Sequence, residues 1–223
     1  KRFLLICLVI AIPMSAEAFE WSKISNLFNT AITEQANTQT SQIQTDTLNT
    51  FKSIQEQTNE VDKSVQDNFM NIVSMLSTKK ETNNIKSQLS SIISDTNKTD
   101  SEKTQLMNTL LTTYVSGLPN NKSTKKAFSK LSTSQKIQLV KDIASIEQSG
   151  QRYAYLAKQV VTSAATGVIK NSTNNGNTPN INDIASVLTQ TNQTANLIKE
   201  KAANTINLAN QFRTVAQSFG VTQ

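Results

Sequence analysis

The final part of the chain repeats its small and apolar residues in alternating steps of four and three. Ten such steps lead from Ile184 to Phe219, and the resulting average of 3.5 residues is typical of a left-handed coiled-coil seam. One seam position is alanine four times in succession, so a partner helix can approach closely along that edge. The partner is either another helix of this chain or a second copy of it. We predict a helix over about 181–219 with a packing seam formed by Ala195, Ala202, Ala209, Ala216, Ile198, Phe212 and Phe219.

A different rhythm occurs nearer the N-terminus. Nine steps from Ile43 to Leu76 average 3.67 residues, which favours a nearly straight helix with slight right-handed coiling. No glycine or proline lies between Pro13 and Gly117, so no strong helix breaker interrupts this part of the chain. The pattern predicts one long helix over about 22–78.

Shorter units connect the first long helix to the next. Thr99 and Glu102, like Ser132 and Gln135, have the spacing of a capping box at a helix start. The second box opens a helix over about 133–170, which Gly150 is expected to bend or break. The predicted fold is therefore all-α: an elongated bundle of about three long helices (22–78, 133–170 and 181–219), with a small appendage of shorter helices over about 81–130.

The first residues have the order of a secretory signal peptide. The basic pair Lys1-Arg2 precedes the apolar run Phe3–Met14, and Ala16-Glu17-Ala18 is a small-x-small cleavage signal. We predict that residues 1–18 are removed and that 19–223 form a single helical domain. The expected location follows from this leader: export through the inner membrane to the periplasm, the cell surface or the medium.

Two aromatic residues would stand at the start of the processed chain. Phe19 and Trp21 lie directly after the predicted cleavage point. They are interpreted either as a terminal anchor that docks into a partner or as a cap on the end of the bundle.

The composition excludes most catalytic chemistry. The chain has no histidine, and its single cysteine, Cys7, lies in the predicted leader. The processed chain therefore lacks a Ser-His-Asp triad, a thiol nucleophile and an ordinary zinc site. Glu56 and Glu60 have the spacing of paired acids, but they flank the apolar stripe and are interpreted as solvated charges, with Lys63 as the partner of Glu60. We predict no enzyme activity, no cofactor and no metal.

The charge of the chain is positive and almost entirely lysine. Lys and Arg total 22 against 16 Asp and Glu, a formal net charge of +6. Arginine and aromatic residues are sparse, which argues against a nucleic-acid partner. The most concentrated charge is interpreted either as solvated surface or as a weak contact site for an anionic membrane or an acidic protein. This candidate surface patch comprises Lys122, Lys125, Lys126 and Lys130.

The order of signal peptide, long terminal helices and shorter units between them is similar to that of the minor pilins at the tips of type IV secretion pili. This architectural resemblance implies an exported, non-catalytic protein that acts through protein–protein contacts. Such a protein would be a structural or adhesive component of a bacterial envelope, secretion or surface assembly. Its partners would be other proteins or further copies of the same chain.

The alternative is a secreted effector or a helical, membrane-active pore-former, which the chain resembles in its long Thr-, Asn- and Gln-rich helices. Such a protein needs an uncharged segment that enters the bilayer. The candidate for such a segment is the uncharged stretch rich in small residues between Gln159 and Lys170, and it is too short to span a bilayer. Its Val160, Ala164 and Val168 fit the core face of the predicted helix over 133–170 instead.

Overall fold

The computed structural model describes residues 38–174 and 181–221. Within these ranges the chain forms six α-helices and a short 3-10 turn and no strand, so the predicted all-α fold is confirmed. The predicted signal peptide, the candidate anchor Phe19 and Trp21, and the first predicted helical residues (22–37) lie outside the described residues. In chain order the helices are α1 (Thr38–Leu76), α2 (Lys79–Ser94), α3 (Asp100–Gly117), α4 (Lys122–Lys130), α5 (Thr133–Asn174) and α6 (Ile181–Ser218), with the 3-10 turn Leu118–Asn120 before α4.

The first helix ends at Leu76 because a new helix starts almost immediately after it. The Thr78 side chain accepts a hydrogen bond from the Glu81 backbone N–H, and the Glu81 carboxylate accepts one from the Thr78 backbone N–H at 2.8 Å. This capping box satisfies two N–H groups that have no partner inside α2. The predicted capping boxes at Thr99 and Ser132 are both confirmed by the same reciprocal bonds.

Helices α1, α5 and α6, of 39, 42 and 38 residues, contribute to two buried hydrophobic clusters. The first cluster consists of residues from these three helices alone, including Phe51 of α1 and Leu156 of α5. Val160 and Ala164 belong to it and are fully buried, while the side chain of Val168 lies outside the described residues. In the second cluster α2, α3 and α4 add Ile85, Leu89, Val115 and Phe128 to residues of the long helices.

The alanine edge of α6 is buried within the chain and faces α5. Its four alanines are each 5 % exposed or less, Ile198 and Phe212 are buried as well, and Phe219 is partly buried. A Cβ atom placed on Gly150 of α5 would lie 3.2 Å from the Ala202 carbonyl oxygen and 2.5 Å from Cγ1 of Ile206. A bend or a break was expected at Gly150. The helix does not break there, because α5 runs unbroken through this residue. The absent side chain instead lets α5 and α6 approach closely.

The short helices are fastened to the long ones by aromatic side chains. Tyr114 of α3 shares a 2.5 Å hydrogen bond with the Ser77 hydroxyl and packs edge-on against Phe69 of α1, with ring centroids 5.7 Å apart. Burial raises the pKa of Tyr114 to about 12, so this hydroxyl stays protonated at neutral pH. Phe128 of α4 stacks on Phe219 beyond the end of α6, at 4.2 Å between centroids. The C-terminal parts of α3 and α4 are thereby fixed to the long helices.

Candidate functional site

The four lysines of the predicted surface patch lie on α4, and all of them are exposed. The opposite side of α4 carries Thr124 and Phe128, which are buried against the rest of the fold. The lysines therefore face away from the core. The seam of α6 packs in the interior, and Phe219 is the seam residue that meets α4, through Phe128.

A cleft separates α3 from the long helices α1 and α6. It encloses about 570 Å³, counting the space at its open mouth. Its apolar wall joins residues of four elements of the fold: Val65, Phe69, Leu89, Met107, Leu111 and Tyr153. Its polar lining consists of Asp62, Gln66, Thr104, Asn108, Lys201, Asn204 and Thr205. A mainly apolar recess with a few fixed polar groups is the usual form of a binding site in a protein.

A buried ion pair lies at the inner end of this cleft. The Lys201 ammonium donates to both carboxylate oxygens of Asp62, at 3.0 and 3.2 Å, and the two side chains are only 9 % and 8 % exposed. The Tyr153 hydroxyl also donates to Asp62. The carboxylate thus accepts bonds from α5 and α6 while belonging to α1. Such a group fixes the relative position of three helices at one point.

The cleft can recognise a partner without using its charges. Asp62 and Lys201 already satisfy each other, so neither is a free electrostatic site for a ligand. The half-buried amides of Gln66, Asn108 and Asn204 supply neutral donors and acceptors around the apolar wall. This combination suits an apolar side chain next to a peptide or amide group.

Two further ion pairs connect the long helices. Arg152 of α5 contacts Glu60 of α1 at 3.0 Å, and Arg213 of α6 contacts Glu147 of α5. Among the described residues, each pairing of α1, α5 and α6 therefore includes one ion pair. The predicted partner of Glu60, Lys63, is replaced by Arg152, because the guanidinium reaches Glu60 across the helix interface. Among the residues described, no group of three His, Cys, Asp or Glu side chains could hold a metal ion.

Asp142 on α5 is a second buried carboxyl group. No cationic side chain in the described ranges lies within 4.0 Å of it, although Gln138 donates to Oδ1 at 2.8 Å. Burial raises the pKa of Asp142, and the hydrogen bonds from Gln138 and Asn71 oppose this effect. Since the folded-state pKa exceeds the unfolded value of about 4, this group favours the folded state most at low pH. That contribution is lost as the pH rises through the folded-state pKa.

Asp142→Asn is accordingly expected to stabilise the protein at neutral pH. The free energy of unfolding should rise by about 1 kcal/mol at pH 7, because an amide avoids the cost of a buried charge. At a pH of about 3 the gain should vanish, since the wild-type carboxyl is then neutral in both states. Urea denaturation at the two pH values checks this, with Asp67→Asn at an exposed position of α1 as the control. An equal gain at both pH values would contradict the electrostatic explanation.

Neither the cleft nor the ion pair was predicted from the sequence. Asp62 and Lys201 each follow or precede a buried residue of their own helix, Val61 and Ala202, so they fall at the margin of the buried faces. The sequence indicated this pair only through the position of the two opposite charges, each at the margin of the buried face of its own helix. Their separation of 139 residues along the chain gave no indication that they meet.

None of the helices in the described ranges is both long and apolar enough to cross a membrane. Comparison of the chain with protein-family models, with curated proteins and with solved structures finds no match.

Proposed function

We propose that this protein is an exported, non-catalytic component of a bacterial envelope, secretion or surface assembly, with a structural or adhesive role exerted through protein–protein contacts. The single observation that carries the proposal is the cleft between α3 and the long helices. Its walls are mainly apolar and belong to a framework that is fixed by the Asp62–Lys201 pair.

Helix α3 leaves part of its apolar surface uncovered. Leu106 is 39 % exposed, and Met107, Leu110 and Leu111 are only partly buried. Spacings of three and four residues place these side chains on neighbouring rows of one helix. Met107 and Leu111 line the cleft, while Leu106 stands at the solvent side. A partner helix or loop that inserted apolar side chains here would bury all four.

Other features of the chain agree with the proposed role. The N-terminal leader motif favours export, and the long helices give a rigid support for a recognition surface. Affinity would come from burial of apolar area in the cleft, and specificity from the surrounding amides.

Photo-crosslinking in the source bacterium tests the proposal. A photoreactive amino acid at position 106 should give an adduct of one defined size in the envelope fraction. The same residue at Tyr155, a 59 % exposed apolar position on α5 outside the cleft, is the matched control and should give little or none. A second pair of variants carries the probe at position 108, with and without Leu106→Lys. The substitution should reduce the amount of adduct several-fold relative to the probe alone. It should leave the melting temperature unchanged, because position 106 is already exposed.

Three results would overturn the proposal. They are the absence of an envelope adduct from position 106, equal crosslinking from position 155, and retention of the protein in the cytoplasm.

A further inference from the structure

The charge imbalance of the chain is concentrated at one end of the fold. Helices α1, α3 and α6 finish there, and α2, α4 and α5 begin there. Contacts hold these termini together: Asn121 donates to the Glu81 carboxylate at 3.2 Å, Ser77 bonds to Tyr114, and Phe128 stacks on Phe219. We call residues 77–82, 118–136 and 217–221 the basic end.

The basic end accounts for the whole net charge of the protein. It contains seven of the 22 basic residues and one of the 16 acidic residues. The remaining 15 basic and 15 acidic residues of the chain cancel. The seven are Lys79, Lys80, Lys122, Lys125, Lys126, Lys130 and Lys136. Lys79, Lys80 and Lys136 were not part of the patch expected from the sequence. The fold brings the start of α2 beside α4, and Lys136 lies in the first turns of α5, which begins two residues after α4.

The lysines of the basic end are free to meet a partner. Six are exposed and Lys136 is half-buried. In the described part of the chain, no carboxylate oxygen lies within 4.0 Å of any of their ammonium groups. The single acid of this end, Glu81, is occupied by the N–H and hydroxyl of Thr78 and by Asn121. Those bonds, with the backbone of Thr78 first, also lower the pKa of Glu81.

Helix α4 presents its lysines as an ordered row. Lys122, Lys126 and Lys130 recur every four residues and therefore lie along one side of the helix, with Lys125 next to them. Thr124 and Phe128 are buried on the other side. The result is a rigid, outward-facing row of positive charges without an enclosing groove.

The chemistry of this surface selects among anionic partners. It has no arginine for bidentate contacts, and its two aromatic rings, Phe128 and Phe219, stack on each other and offer no platform for nucleic-acid bases. Lysines that act as separate point charges suit a broad surface of negative headgroups. We propose that the basic end binds, peripherally and without insertion, to a bilayer surface that carries anionic lipids. This surface is separate from the cleft, so the inference does not depend on the proposed protein contact.

Vesicle sedimentation with the full chain tests this assignment. The protein should bind phosphatidylcholine vesicles that contain phosphatidylglycerol, and pure phosphatidylcholine vesicles much less. The triple variant Lys122→Gln/Lys126→Gln/Lys130→Gln should bind the anionic vesicles on the order of 100-fold more weakly. Raising the salt concentration from about 0.05 M to about 0.5 M should release the wild-type protein.

The matched control removes the same charge elsewhere. Lys52→Gln/Lys158→Gln/Lys199→Gln changes three exposed lysines on α1, α5 and α6 and should keep binding within about twofold of wild type, because these lysines are distant from the contact. If the α4 variant unfolds, Lys79→Gln/Lys80→Gln/Lys125→Gln replaces it, with the same expected loss.

Three outcomes would overturn the inference. The first is equal loss in the control variant, which would reflect net charge alone. The second is equal binding to neutral vesicles. The third is binding to a soluble acidic protein with no binding to anionic vesicles, which would assign the basic end to a protein partner.

Discussion

Lys201→Met is expected to lower the free energy of unfolding by about 3–5 kcal/mol, the largest effect of any single substitution considered for this chain. Methionine keeps most of the volume of the side chain but leaves the Asp62 carboxylate buried without a cation. Breaking a buried pair from one side costs this much because the remaining charge has lost its hydration and gains no partner. Chemical denaturation monitored by circular dichroism measures the change.

Two further variants separate the ion pair from simple packing. Lys199→Met removes an exposed lysine two residues away on the same helix and should change stability by less than about 0.5 kcal/mol. Asp62→Asn/Lys201→Met removes both charges while still offering an oxygen to the Tyr153 hydroxyl, and it should recover most of the lost stability. If Lys201→Met cost no more than Lys199→Met, the ammonium group would have to be hydrated in the folded protein.

Gly150→Ala should destabilise the protein by about 1–2 kcal/mol, although alanine is the better helix former. The new methyl group would lie 2.5 Å from Cγ1 of Ile206, 3.1 Å from the Ile206 backbone nitrogen and 3.2 Å from the Ala202 carbonyl oxygen. Ile206 has little rotamer freedom on a helix, so α6 must move away from α5. The cost of that movement exceeds the gain in helix propensity of about 1 kcal/mol. Thermal unfolding measures the difference.

Gly117→Ala is the matched control for this glycine. No atom lies within 4 Å of the methyl group it would add, and the backbone φ there is −76°. It should leave stability unchanged or raise it by about 0.4–1 kcal/mol through the entropy of the unfolded chain. Ile206→Ala should rescue part of the loss in Gly150→Ala. Similar melting temperatures for both glycine variants would show that the helices tolerate a wider spacing.

Sequence reasoning predicted the elements whose signals are local. The heptad of alanines in α6 indicated an edge suited to close packing, and the four alanines are buried in the structure. The capping boxes at Thr99 and Ser132 were recognised because each requires only four consecutive residues. The box at Thr78 has the same signature but was missed, since the apolar rhythm of α1 runs up to it without a glycine or proline.

Features that depend on two distant segments could not be predicted. Gly150 was expected to bend or break its helix because the sequence does not show that α6 approaches it to within contact distance. The partner of Glu60 was assigned to Lys63 for the same reason, whereas Arg152 is 92 residues away along the chain. The cleft likewise requires α1, α3 and α6 together. Its residues carry no common motif, so only the folded arrangement identifies it.

The contact between α5 and α6 at Gly150 also bears on the order of folding. These helices are neighbours along the chain, with only residues 175–180 between them, whereas α1 reaches α5 across about 90 residues. Closing the shorter loop loses less chain entropy, so α5 and α6 should associate before α1 joins them. Asp62 would then meet Lys201 after the rate-limiting barrier. In stopped-flow measurements, Lys201→Met should therefore accelerate unfolding and leave the refolding rate almost unchanged.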